Sequence, residues 1–161
     1  MLAASYSSIF KKIKTSLKPL KNEALMGLET CCKVLRNNIA HYDWVGFYFS
    51  NFNTKTLHLK AFSGDPTEHV TIPFGKGICG QVAMTNKNFI VPNVKEQDNY
   101  ISCNINVHSE LVVPLFFEGR NIGQIDIDSN KIDAFSKEDE NLLVLCCDFI
   151  SKAYGSRLLK I

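Results

Sequence analysis

Between Ser109 and Ser129 the chain reads SELVVPLFFEGRNIGQIDIDS, two apolar runs joined by Glu118-Gly119-Arg120-Asn121. Runs of that kind bounding a glycine-containing turn predict an antiparallel hairpin. Counted across the turn in a simple register, Glu110 falls opposite Asp128 or Ser129. Residues two apart on a strand share a face, so Asp126 and Asp128 point together while Ile127 points into a core. Their separation is about 6–7 Å. At an effective dielectric of about 20 their repulsion is about 2.5 kcal/mol, or roughly two pKa units. One carboxyl of the pair would then keep its proton near neutral pH in an enclosed site. Such a pair suits an ammonium group, or divides cation binding from proton donation. A solvated strand end would carry the same dipeptide. With Glu110 facing the same cavity, three carboxylates in an apolar setting favour a positively charged ligand. No histidine stands among them at a tight ligand spacing, so no metal site is expected.

The remaining elements fit around this hairpin. Leu25, Leu28, Cys32, Leu35 and Ile39 recur at helical spacing, and Pro19 suits a helix start, predicting a helix from about 19 to 40. Residues 1–18 are expected to be an N-terminal arm or short helix, and residues 19–161 a single domain. DWVGFYFS reads as an aromatic strand, with Trp44 and Tyr48 on one face and Phe47 on the other. In TLHLKAF, Leu57, Leu59 and Ala61 alternate with His58 and Lys60 as on a half-buried strand. A short strand near Val70–Ile72 leads to the turn FGKGICG, where glycines permit a tight approach to a short helix beginning at CGQVAMTN. NFIVPNV is a further strand. The last helix opens at Ser136 as N-cap with Asp139 three residues on, and buries Leu142, Leu145, Cys146 and Phe149. The order of elements predicts an α+β domain, a central antiparallel sheet flanked by helices.

Composition narrows the function. At 161 residues the chain has room for one sizeable core. A formal net charge of +2 is too small to imply a nucleic-acid partner. No run approaches the roughly 18 apolar residues of a membrane span, and the N-terminus lacks a signal-peptide core. Its lysines at 11, 12, 14, 18 and 21 suit a solvated helix face as well as an anionic surface, so no stable membrane association is expected. Of six cysteines, Cys31–Cys32 and Cys146–Cys147 are adjacent pairs within apolar helical patterns, which read as small buried hydrophobes rather than bridges. A cytoplasmic location follows from this usage. Cys79, at the start of a short helix, and Cys103, in a polar loop, are the two thiols placed for chemistry. Trp44 and Tyr48 offer an apolar wall for a methyl or thioether group, though core packing alone would also place them there.

Taken together, WVGFYF, GKGICG, SELVVPL, GQIDIDS and the AFSKED helix start resemble the GAF-domain free methionine-R-sulfoxide reductases, over about residues 22 to 150. That resemblance implies a sheet of about six strands and reduction of free L-methionine (R)-S-oxide. It implies no bound cofactor, with thioredoxin and NADPH as the external reducing system. It also implies Cys103 as the attacking thiol and Cys79 as the cysteine of the glycine turn. Glu110, Asp126 and Asp128 would be the substrate carboxylates, Asp126 or Glu110 the proton donor, and Trp44 and Tyr48 the aromatic wall. Small domains of this family often form homodimers through their terminal helices. The chain departs from the pattern at one place. His69 stands where the family usually has a third cysteine, ten residues before Cys79, which commonly resolves the oxidised thiol. Cys79 is the remaining candidate for that role. The alternatives are a non-catalytic GAF domain sensing a small ligand, and a thiol sensor signalling through a Cys79–Cys103 bridge.

Overall fold

The computed structural model describes residues 2–100 and 105–161. Six strands form one antiparallel sheet: β1 (Trp44–Asn51), β2 (Thr56–Ser63), β3 (Thr71–Pro73), β4 (Phe89–Val91), β5 (Ser109–Phe117) and β6 (Arg120–Ser129), in the order β3-β2-β1-β6-β5-β4. The helices are α1 (Ala4–Leu17), α2 (Ala24–Asn38), α3 (Gly77–Thr85) and α4 (Lys137–Tyr154). This is the α+β architecture expected.

Both faces of the sheet are covered. Phe47, Val113, Ile125 and Ile127 pack against Ile13 of α1, Leu28 and Leu35 of α2, and Leu142 and Ile150 of α4 in the larger core. Trp44, Tyr48, Leu57, Ile72 and Val112 pack beneath Ile78, Cys79 and Val82 of α3 in a smaller one. Double-sided cover explains why β5 reads as a continuous apolar run, whereas β6 alternates, with Ile125 and Ile127 in the larger core and Gln124, Asp126 and Asp128 on the α3 side. The adjacent cysteine pairs are buried in the larger core, as their setting implies.

Three expectations are corrected. The helix predicted over 19–40 begins only at Ala24, because Pro19 sits in a single 3₁₀ turn, Lys18–Leu20, that closes α1. Proline without an N–H is tolerated in such a first turn. Second, the buried faces of α2 and α4 are wider than the predicted stripes, of which Leu28, Cys32, Leu35, Leu142 and Cys146 are buried. Leu25 and Leu145 are exposed, while Cys31 and Leu143, one turn-step around, are buried. Both helices are broad enough at their contacts to bury adjacent residues, which a single-stripe reading misses. Third, Leu57 and Ala61 do not share a face. Tyr48 pairs with Leu59 and Phe47 with Ala61, so Lys60 is bulged out of register. A bulge exchanges the faces of the residues beyond it, which moves Ala61 into the larger core.

Candidate active site

The site lies on the α3 side of the sheet. The β5–β6 register pairs Glu110 with Asp128 and Val112 with Asp126. The β1–β6 register pairs Trp44 with Asp128 and Gly46 with Asp126. Strand alternation therefore brings Trp44, Tyr48, Glu110, Asp126 and Asp128 to one face. The chain closes it from above with the glycine turn. Gly77 adopts φ +63°, a left-handed conformation open to glycine, and starts α3 with Cys79 in its first turn. Asn99 clamps this turn, accepting from the Gly77 N–H at 3.2 Å and donating to the Gly75 carbonyl at 2.6 Å.

Cys79, Glu110, Asp126 and Asp128 are only 4%, 5%, 2% and 4% exposed. The Cys79 thiol donates to Glu110 Oε1 at 3.8 Å, and Gln124 Nε2 holds the Cys79 carbonyl at 3.2 Å. Burial pushes Glu110 well above the usual carboxylate range, and the charges of Asp126 and Asp128 push it further. Asp126 is raised by burial to about 6, with hydrogen bonds from Glu110 and Cys79 working the other way. Asp128 is raised by burial, then by Asp126 and Asp43. Glu110 and Asp128 are thus both held well above Asp126, and within the bonded pair Glu110–Asp126 the proton rests on Glu110. The leading cause is burial rather than the Asp126–Asp128 repulsion weighed from the sequence.

Around this acid cluster the aromatic wall is fixed. Trp44 stacks on Phe62 at 5.9 Å between centroids and 15° between planes, and its Nε1 donates to the Asp65 carbonyl at 3.0 Å. Tyr48 donates its hydroxyl to the His69 carbonyl at 2.8 Å, which sets the departing position beside the wall. Gly46 is required here, since a Cβ would lie 2.2 Å from the Trp44 ring. Gly46→Ala is expected to cost about 1–3 kcal/mol of stability and to shift the emission of Trp44, the only tryptophan. Unchanged emission and melting temperature would contradict this packing.

Among the described residues, two openings reach the cluster. A void of about 10 Å³ is lined by Ile72, Lys76, Cys79, Glu110 and Asp126. A pocket of about 120 Å³ lies at the outer end, lined by Trp44, Asp128, Asp43, Asp65 and Arg36 among others. Arg36, Asp43 and Asp65 escaped the sequence reading. They come from a helix end and two loops, and no periodicity links such positions. Arg36 Nε donates to the Asp43 carbonyl at 2.9 Å, holding its side chain at the pocket it lines. Cys103 lies outside the described residues.

The model of the GAF domain matches residues 26–153. The free methionine-R-sulfoxide reductase of Escherichia coli (strain K12) is 34% identical over 116 residues, covering 72% of this chain and 68% of that protein. A type II free methionine-R-sulfoxide reductase from Thermoplasma acidophilum superposes with a TM-score of 0.78 at 39% identity, covering 83% of this chain and 94% of the other. The free methionine-R-sulfoxide reductase from Neisseria meningitidis, solved in complex with its substrate, gives 0.89 at 28% identity, covering 100% and 98%. The fold and the matched segment thus define a GAF domain. Within that family the chain belongs with the free methionine-R-sulfoxide reductases.

Proposed function

We propose that this protein reduces free L-methionine (R)-S-oxide to methionine with a cysteine thiol. The observation that carries this reading is the buried acid pair Glu110–Asp126 beside a thiol, under an aromatic wall, in a chain whose relatives bear that activity in their names. The S-methyl group lies against Trp44 and Tyr48, and the sulfoxide oxygen against Glu110. The outer pocket suits a zwitterion: Asp128, with Asp43 behind it, takes the ammonium and Arg36 the carboxylate.

The thiolate of Cys103 attacks the sulfoxide sulfur while Glu110 gives its proton to the oxygen. The oxygen passes to Cys103 as sulfenic acid and methionine leaves, two electrons having moved from thiol to sulfoxide. The Cys79 thiol then attacks the sulfenic sulfur, releasing water and forming a disulfide, and the dithiol of thioredoxin reduces that disulfide by exchange. No bound cofactor enters this scheme.

The test is NADPH loss with thioredoxin and its reductase on the separated sulfoxide epimers. Turnover of the R epimer alone is expected. No turnover of it with either thioredoxin or dithiothreitol would sink the enzyme reading. A second reading, redox or ligand sensing without turnover, is favoured by His69 in place of a resolving cysteine. A reversible bridge after mild peroxide, with no methionine formed, would support it. If Arg36 holds the carboxylate, Arg36→Ala should raise KM for the free amino acid roughly 5- to 10-fold with little change in kcat. For 3-(methylsulfinyl)propylamine, which lacks the carboxylate, KM should not move. Equal effects on both substrates would remove Arg36 from the site.

A further inference from the structure

We infer that Cys79, Glu110 and Asp126 form a binding site for a thiophilic divalent cation of the Zn²⁺ class. The site stands on its own geometry and does not depend on the reaction proposed above. Sγ of Cys79 and one oxygen each of Glu110 and Asp126 all lie within 4.8 Å of one another. Zinc bonds of about 2.3 Å to sulfur and 2.0 Å to oxygen at tetrahedral angles put the S–O edge at about 3.5 Å. The Cys79–Glu110 contact of 3.8 Å is already near that edge. A side-chain shift of a few tenths of an ångström closes it.

A second observation points to a ligand. Oδ1 of Asp126 is buried and has no hydrogen-bond partner among the described residues. A buried carboxylate oxygen without a partner is costly, and coordination is one way to satisfy it. The oxygen belongs to a residue lining the 10 Å³ void shared with Cys79 and Glu110. That space is too small for a substrate but suits the remaining coordination position of a three-ligand ion. The missing histidine that argued against a metal in the sequence is replaced by a thiol, which only the fold brings to the carboxylates. One sulfur with two oxygens selects zinc-like ions over magnesium or calcium, which take oxygen alone. Binding displaces the protons of Glu110 and Cys79, and the dication offsets the charges that burial otherwise disfavours. An occupied site removes both the thiol and the acid pair from chemistry, so zinc acts as a reversible inhibitor of whatever reaction the site performs.

Cobalt(II) is the probe. The full-length reduced chain, titrated with Co²⁺ without oxygen, is expected to bind one ion and develop a sulfur-to-cobalt charge-transfer band in the near ultraviolet. Zn²⁺ should abolish the band by displacement. Cys79→Ser should eliminate it, Asp126→Asn should weaken binding at least tenfold, and Cys103→Ser should retain it. Circular dichroism of each variant separates lost binding from lost folding, and the two substitutions on different elements test the site independently. No charge-transfer band with stoichiometric Co²⁺ overturns the inference. So does a band that survives Cys79→Ser, which would place the metal on other thiols.

Discussion

Glu110→Gln is expected to lower kcat roughly 10²–10⁴-fold, the usual contribution of a positioned general acid, while leaving KM within a small factor. The amide keeps the shape of the side chain and can still donate to Asp126, but it has no proton to give to a departing oxygen. The same substitution should raise stability. In the folded protein burial and the neighbouring aspartates hold Glu110 protonated well above the usual range, whereas in the unfolded chain it ionises near pH 4.3. The folded state therefore binds the extra proton, and stability falls as pH rises from about 4.3 toward the folded value. Glutamine has no such term, so the variant's advantage in melting temperature should appear above about pH 4.3 and grow with pH. A variant that is inactive yet more stable is the signature of a group strained for function. An inactive variant that is less stable would mean that Glu110 is mainly structural. The wild-type rate should fall on the alkaline side as Glu110 loses its proton, and Glu110→Gln should flatten that limb.

The substrate carboxylates were legible because hairpin pairing is a local rule. The turn brings the strands side by side and period-two alternation puts Asp126 and Asp128 on one face, but Glu110 joins them only because an irregularity between Leu115 and Phe116 shifts the register and pairs it with Asp128. Trp44 and Tyr48 follow from the same alternation. Alternation fails where the backbone breaks its own period, as at the Lys60 bulge, because nothing in TLHLKAF marks the extra residue. Helix stripes were right in place but too narrow, since α2 and α4 also bury the adjacent Cys31, Leu143 and Cys147. Arg36 and Asp43 illustrate what pattern reasoning leaves out. Their approach to Asp128 depends on where a helix ends relative to a strand, a tertiary relation with no periodic trace. Likewise Cys79 and the carboxylates were seen as separate features, and the 4.8 Å cluster they make required α3 to be laid over β5 and β6.

Asp139 carries the second large effect, on stability rather than activity. From the sequence it is the partner in a capping box, and it fills that role: Ser136 N–H and Oγ donate to Oδ2 at 2.8 and 2.9 Å. Its other oxygen does more. The Tyr6 hydroxyl of α1 donates to Oδ1 at 2.6 Å, and His41 Nε2, from the loop before β1, lies 2.9 Å from the same atom. One buried carboxylate thus joins three segments distant in sequence. Burial alone would raise its pKa, but the bonds from His41, Ser136 and Tyr6 outweigh that and hold it well below the usual range. Removing a buried, multiply bonded carboxylate orphans its donors and costs about 3 kcal/mol, so Asp139→Ala should lower the melting temperature by roughly 6–12 °C for a chain of this size. Asp139→Asn keeps the shape and one acceptor and should lose about half as much. The sign of the pH dependence is fixed by the lowered value. The stabilisation is present above the unfolded aspartate pKa of about 3.9 and is lost as pH falls below it toward the folded value. The stability gap between wild type and Asp139→Asn, measured by denaturant titration, should therefore be open at pH 6 and narrow below about pH 4. A gap that stayed constant to pH 3 would show that charge on Asp139 contributes nothing, and that the junction is held by packing of α1 against α2 and α4 alone.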